Sequence, residues 1–243
     1  MENASKALIM AGSVLISLLV ITLVVVGYQQ LSDWQQTVED SEQTATDTEF
    51  IRQVEQFNRN LYGSELLSLI NYVEDYNAQY TEDGYIPIQL NVTITNDLFT
   101  GEDYDYFRAG TYDLEELYDE VKGSDGIESE IEKLEKPKPE YNNKSPKYYW
   151  TKTYREIAAE FDINIPSNTP TYDLETTLLD NAGTKRGNIE KLIEDVRNYD
   201  LLDSIYTQFK EGKRFRPGDA SGKNGFVYDN RNGRVIEINF TEI

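Results

Sequence analysis

The chain contains neither cysteine nor histidine in its 243 residues. The absence of both residue types excludes zinc sites built from Cys and His, haem ligated by His, Ser-His-Asp and Cys-His catalysis, and any disulfide framework. Basic residues are also scarce, because 23 Lys and Arg face 44 Asp and Glu, which gives a formal net charge of -21. Such a surface has no excess of cations to displace the counterions of phosphates, so the composition argues against a nucleic-acid partner.

The chain has one long stretch without charge, Ala7 to Tyr28, which spans 22 positions. As a helix rising 1.5 Å per residue it would reach about 33 Å, enough for the hydrocarbon core of a bilayer. A cleaved signal peptide would have a shorter apolar region and a small-residue cleavage site, and neither is present here. The run therefore predicts an uncleaved membrane anchor. Its representative residues are Ala7, Leu15, Leu19, Val24 and Tyr28.

The flanking charges predict the orientation of this anchor. Lys6 precedes it, whereas residues 29–48 contain no Lys or Arg and five acidic residues. The positive-inside rule then places the N-terminus in the cytoplasm and the rest at the cell surface, in a single-pass arrangement. The predicted organisation is a cytoplasmic tail (1–6), a transmembrane helix (7–28), a helical stalk (29–45) and an extracytoplasmic domain (46–243).

The large C-terminal region has the pattern of an α+β domain. Alternating apolar residues predict one strand at 86–95, and a hairpin closes the chain at 226–243, so we expect a small antiparallel sheet. Apolar residues at helical spacing predict helices at 48–63, at 114–121, at 127–134, at 148–161 and at 188–209, with a further helix beginning at Ser64.

Charge is distributed unevenly along the chain. Residues 31–130 carry 24 acidic and 4 basic residues, a net of -20, whereas residues 131–243 carry 19 and 18, a net of -1. The acidic part is either a solvated face or one half of a head-to-tail contact with the basic part of another copy. Aromatic and basic clusters supply the candidate partner surface, which consists of Tyr148, Tyr149, Trp150, Lys213, Arg214 and Arg216.

The acidic stretch after the first predicted strand is the only candidate metal site. Asp97, Asp103, Asp105 and Asp113 offer the carboxylate oxygens that Ca²⁺ prefers, although the spacing of an EF-hand is absent. Plain solvation of these acids is the favoured interpretation, and Ca²⁺ binding is the alternative. No pair of carboxylates or other residue pattern indicates catalysis, so we expect neither an enzyme nor a cofactor.

The N-terminal sequence MENASKALIMAGSVLISLLVITLVVVGYQQ, followed by an amphipathic stretch and an α+β domain, resembles type IV pilin-like subunits. It is also similar to the N-termini of anchored surface proteins of low-GC Gram-positive bacteria, most of them uncharacterised. The pilin resemblance implies that Ala7–Tyr28 anchors the subunit before assembly and bundles in a filament core afterwards, with Leu31–Val38 extending that helix.

These features together lead to two functional expectations. The first is a non-enzymatic structural subunit of the cell surface, with a pilus-like filament as one form of assembly. The alternative is a monomeric, membrane-tethered binding module that uses the Tyr/Trp-rich segment 141–154. The expected partners are the lipid bilayer and either further copies of the chain or an envelope protein.

Overall fold

The computed structural model describes residues 29, 50–79, 87–98, 106–219, 221–230 and 233–243. The chain forms two units, Met1–Glu55 and Gln56–Ile243. In the first unit the described residues, Gln29 and 50–55, are helical. No helix among the described residues is both long and apolar enough to cross a membrane, and the predicted anchor Ala7–Tyr28 lies outside them.

The second unit is a mixed α+β structure, which confirms the predicted class. The described strands are β1 (Leu61–Tyr62), β2 (Gln89–Ile94), β3 (Gly110–Tyr112), β4 (Arg214–Pro217), β5 (Phe226–Tyr228) and β6 (Val235–Glu242). The described α-helices are α1 (Gly63–Gln79), α2 (Leu114–Lys122), α3 (Ile127–Glu135), α4 (Pro146–Trp150), α5 (Tyr154–Glu160), α6 (Leu174–Asn181) and α7 (Arg186–Thr207). Short 3₁₀ turns lie at Pro139–Tyr141, Thr171–Asp173 and Gly183–Lys185, and a π turn lies at Gln208–Gly212.

The sheet is mixed, so the expectation of a purely antiparallel sheet is wrong. Its strand order is β1-β4-β6-β2-β3, and β5 also pairs with β6. The predicted hairpin forms between β5 and β6, but β2 runs parallel to β6, with Leu90 opposite Ile238 and Val92 opposite Phe240. β6 therefore lies inside the sheet, and most of its residues are buried although its sequence alternates apolar and polar residues.

Polar side chains of β6 are accommodated by specific partners. The hydroxyl of Thr241 donates to the carbonyl of Gly218 at 2.7 Å, and the side-chain Nδ2 of Asn91 donates to Asn239 Oδ1 at 3.1 Å. Because these buried groups are hydrogen-bonded, the strand can be central without the cost of unsatisfied polar atoms.

The helices pack into an apolar cluster around the N-terminal half of α7. The cluster consists of Tyr141, Tyr149, Ile157, Ala158, Phe161, Ile163, Leu178, Ala182, Ile189, Leu192 and Ile193. The predicted helices at 114–121, 127–134 and 188–209 are confirmed as α2, α3 and α7 within one or two residues at most ends. The helix predicted at 148–161 is instead divided into α4 and α5.

The helix predicted at 48–63 ends early, because helical structure stops at residue 55 and β1 follows at Leu61. The close approach of Gly63 to the π turn favours this arrangement. Its amide donates to the carbonyl of Lys213 at 3.1 Å, and a Cβ at this position would lie 2.0 Å from the carbonyl oxygen of Phe209.

We expect Gly63→Ala to destabilise the fold by about 1–3 kcal/mol, because backbone atoms must move to make room for the methyl group. Gly187→Ala is the matched control, since that site in α7 has open space around it and alanine favours helix. Urea denaturation followed by circular dichroism measures both. Equal stability of the two variants would contradict the close approach at Gly63.

Candidate functional site

A cleft opens where the chain breaks between α4 and α5. Ser145 caps α4, and Thr153 caps α5 in a capping box, in which the Thr153 amide donates to Glu156 Oε2 at 2.8 Å. Because the second cap begins a new helix at Tyr154, the chain turns between Trp150 and Tyr154, and both side chains face one cleft. The cleft has a volume of about 400 Å³ and is lined by Trp150, Lys152, Thr153, Tyr154, Ile157, Thr171, Leu174, Ile193, Val196, Arg197 and Asp200.

The floor of the cleft is aliphatic. Ile157 and Ile193 belong to the helical core and expose only 3% and 5% of their surface, and Leu174 exposes 8%. Val196 is half-buried beside them. Four hydrocarbon side chains from α5, α6 and α7 therefore line the cleft.

Trp150 forms a fixed aromatic wall. Its indole Nε1–H donates to Asp200 Oδ1 at 2.7 Å, and its ring contacts Tyr199 edge-on with centroids 5.5 Å apart. The side chain nevertheless remains 40% exposed. An exposed aromatic ring that is held in one orientation can contact a partner with little further loss of conformational entropy.

Tyr154 lies in the wall of the cleft within a polar network. Its hydroxyl donates to Glu175 Oε2 at 2.6 Å, and Arg197 Nη2 donates to the same oxygen at 2.5 Å. Burial, followed by the hydrogen bond and charge of Glu175, raises the pKa of Tyr154. The phenol therefore stays protonated at neutral pH.

The other polar side chains of the cleft are also engaged. Thr153 Oγ1 accepts from the amide of Glu156 in the cap of α5. Lys152 Nζ lies 4.7 Å from the ring of Tyr148 and 3.9 Å from Glu160 Oε1. Apart from the exposed Thr171, each polar side chain that lines the cleft thus already contacts another polar or aromatic group of this chain.

Tyr172, which the sequence interpretation did not single out, follows the cleft-lining residue Thr171 in the chain. It belongs to the 3₁₀ turn Thr171–Asp173, which leads to the lining residue Leu174, and 84% of its surface is exposed. The feature of the sequence that could have indicated this turn is Pro170, which fixes the backbone just before it. A residue held on such a turn has few ways to fold back onto its own core.

The predicted aromatic partner residues occupy different environments. Tyr148 and Trp150 expose 37% and 40% of their surface, whereas Tyr149 is completely buried. The Tyr149 hydroxyl donates to the carbonyl of Tyr141 at 3.1 Å inside the helical core. Tyr149 is therefore a core residue rather than part of a partner surface.

The predicted basic partner residues are not a uniform cationic patch either. Lys213 is largely buried and pairs with Glu242. Arg214 lies over the ring of Tyr62, 4.8 Å from its centroid, and donates to the Tyr62 hydroxyl at 2.9 Å. Arg216 is exposed on β4.

Other cations of the basic half also have acidic partners within the chain. Three such ion pairs join Lys138 to Asp195, Lys147 to Glu135 and Lys223 to Glu237 at 2.6, 2.7 and 2.5 Å. These pairs neutralise charge locally, so fewer cations remain for another molecule than the composition indicates.

The described part of the acidic stretch does not form a metal site. Asp97 Oδ1 accepts from the amide of Ala109 at 2.6 Å, and Asp113 Oδ1 accepts from the amide of Glu116 at 2.9 Å as the cap of α2. Asp103 and Asp105 lie outside the described residues. Among the residues that are described, no three acidic side chains come close enough together to hold a metal ion.

Comparisons with protein-family models, with curated proteins and with solved structures found no match.

Proposed function

We propose that this chain is a single-pass, membrane-anchored, non-enzymatic surface protein whose folded region binds a protein partner through the Trp150 cleft. The uncharged run Ala7–Tyr28 supports the anchor, and the charge difference between its flanks supports a surface location. The observation that carries the binding function is a fixed, exposed indole that lines the same cleft as four aliphatic side chains.

The ion pairs around the cleft disfavour an anionic ligand. Arg197 already binds Glu175, and Lys152 Nζ lies 3.9 Å from Glu160 Oε1. An anion entering the cleft would give up water and gain one of these cations only by competing with an acidic side chain of this chain. The four hydrocarbon side chains of the floor suit an uncharged, apolar group.

A sugar is disfavoured for a related reason. Any hydroxyl that turns toward Ile157, Leu174, Ile193 or Val196 would find no hydrogen-bond partner there. Buried hydroxyls that lose water without gaining a partner cost about 1–3 kcal/mol each. An aromatic side chain of a protein partner has the complementary character, because ring faces and edges pack well against both aromatic walls and aliphatic floors.

The state of the titratable groups supports binding rather than catalysis. Tyr154 is held protonated by its raised pKa, and its proton is committed to Glu175. Tyr154 is therefore not poised to transfer a proton to or from a bound aromatic group, and ligand recognition requires no such transfer.

A structural subunit that assembles into a filament is the second candidate, and the charge difference between the two halves of the sequence favours it. Head-to-tail attraction would require free cations in the basic half. The pairs formed by Lys138, Lys147, Lys213 and Lys223 reduce their number. We therefore place the binding function first.

Binding in the cleft can be followed through Trp150, because the chain contains only two tryptophans, Trp34 and Trp150. In the full-length Trp34→Phe variant, we expect neutral N-acetyl-phenylalaninamide to change the emission of Trp150 saturably. The affinity should be weak, since one ring gains only about 1.5–3 kcal/mol from burial. Its anionic counterpart N-acetyl-phenylalanine and methyl glucopyranoside should produce no saturable change.

The control for this titration is Val196→Glu in the same background, which places a charge in the cleft at a half-buried helix position. We expect the response to the neutral probe to disappear while the circular dichroism spectrum is retained. A response of equal size to all three probes, or one that survives Val196→Glu, would refute binding of a neutral aromatic group in this cleft.

A further inference from the structure

We propose that the aromatic group that fills the cleft is Tyr172 of a second copy of this chain. This inference rests on the proposed function, because it names the partner of the same cleft. The supporting features are the exposure of Tyr172, its place in the chain next to the cleft-lining Thr171, the apolar character of both its ring and the cleft floor, and the symmetry that this proximity favours.

Tyr172 is presented in a fixed and accessible way. Pro170 precedes it with φ -60° and ψ 153°, and the 3₁₀ turn Thr171–Asp173 leads directly into α6 at Leu174. With 84% of its surface exposed, Tyr172 is the most exposed large hydrophobic residue that the structure describes. A tyrosine anchored on a short turn resembles the rigid aromatic residues that dominate binding energy at interfaces.

The chemistry of Tyr172 matches that of the cleft. Its side chain brings one ring and one hydroxyl, of which the hydroxyl can remain near the solvent-exposed Thr171. The ring would meet the indole of Trp150 and the aliphatic floor, and no ion pair around the cleft would need to open. The cleft volume of about 400 Å³ leaves room for such a ring.

The position of Tyr172 favours a two-fold symmetric contact. Because the residue lies beside the cleft of its own chain, a two-fold axis that brings Tyr172 of one copy to the second cleft also brings the second Tyr172 to the first. The two contacts form together and the pair is closed. We therefore expect a dimer from this contact and not an open filament.

Salt dependence separates this contact from an electrostatic one. Each copy carries a formal charge of -21, so two copies repel one another and their association depends on apolar contact. Raising the salt from about 0.1 M to about 1 M shortens the screening length from about 10 Å to about 3 Å. The dimer should become tighter at high salt, whereas a head-to-tail electrostatic contact would become weaker.

The first test is the self-association of the full-length protein in detergent micelles, measured by sedimentation equilibrium. We expect Tyr172→Ala to weaken the dimer at least about tenfold, and Tyr172→Phe to keep it, because the ring supplies most of the contact. Tyr148→Ala is the matched control, since Tyr148 is an exposed tyrosine that does not line the cleft. An unchanged dimerisation constant in Tyr172→Ala would overturn the proposal.

The second test uses the absence of cysteine from the chain. Chains carrying Tyr172→Cys are mixed with differently tagged chains carrying Val196→Cys and are oxidised mildly. We expect a disulfide between the two kinds of chain, since position 172 of one copy would lie in the cleft beside position 196 of the other. Equal cross-linking when Tyr148→Cys replaces Tyr172→Cys would overturn the proposed contact.

The probe titration distinguishes failure of this inference from failure of the proposed function. The Tyr172→Ala variant keeps every residue that lines its own cleft, so it should still bind N-acetyl-phenylalaninamide. Probe binding without Tyr172-dependent association would overturn the dimer and leave the binding function in place. Loss of probe binding in all backgrounds would overturn both.

Discussion

Replacing Tyr149 with alanine should lower the free energy of unfolding by about 3–5 kcal/mol. Its side chain is completely buried in the helical core. The centroid of its ring lies 5.9 Å from that of the Phe161 ring, and its hydroxyl donates to the carbonyl of Tyr141. Removing the ring leaves a cavity between α4 and its neighbours, and the surrounding helices can close that cavity only partly. Urea denaturation followed by circular dichroism measures the loss.

The adjacent residue of the same type provides the control. Tyr148 is 37% exposed, so Tyr148→Ala should cost roughly 1 kcal/mol or less. The variant Tyr149→Phe keeps the ring and removes only the hydrogen bond, and should cost about 0.5–1.5 kcal/mol. If Tyr148→Ala were as damaging as Tyr149→Ala, the assignment of Tyr149 to the core and Tyr148 to the surface would be wrong.

Lys213→Met should also destabilise the fold by about 3–5 kcal/mol, because it leaves the carboxylate of Glu242 buried without its cation. The side chains of Lys213 and Glu242 are only 12% and 6% exposed. Glu242 Oε2 also accepts from the amides of Thr95 and Asn96 at 2.7 and 3.2 Å, so the pair joins β4, the end of β2 and β6.

The double variant Lys213→Met with Glu242→Gln should recover part of the loss, since the side-chain amide of glutamine stays an acceptor without a buried charge. No recovery would contradict the ion pair as the source of the effect.

The same pair makes stability depend on pH. Burial alone would raise the pKa of Glu242, but Lys213 and the amides of Thr95 and Asn96 outweigh it and hold the pKa below its ordinary value of 4.5. The contribution of Glu242 is therefore fully present above that value and is lost as the pH falls through the lower folded-state pKa. In Lys213→Met the loss on acidification should begin at higher pH, because burial is then opposed only by the amides. Urea midpoints measured across the acid range should show this shift, and identical profiles would contradict it.

Local patterns in the sequence were sufficient to predict most helices but not the sheet. The apolar spacing of residues 114–121 and 188–209 reflects contacts that each helix makes along one face, so the pattern is visible in the segment itself. The parallel pairing of β2 with β6 joins residues nearly 150 positions apart, such as Leu90 and Ile238. No short-range pattern specifies that pairing, because it is decided by where the intervening helices return the chain.

The candidate site shows the same limit. The Tyr/Trp segment was predicted as a partner surface, and Trp150 does line the cleft. Its neighbour Tyr149 points into the core, because successive residues of a helix face different directions and the helix ends immediately afterwards. The floor requires Leu174 and Val196 from α6 and α7, which only tertiary packing brings to Trp150.

The most direct measurement of the central claim is an NMR titration of the full-length protein in micelles, with isotope-labelled methyl and indole groups. We predict that N-acetyl-phenylalaninamide shifts the indole signal of Trp150 and the methyl signals of Leu174 and Val196. We also predict that core methyl groups remote from the cleft, such as those of Leu66 and Val92, stay unmoved. Shifts spread over the whole domain, or confined to another surface, would contradict the Trp150 cleft as the binding site.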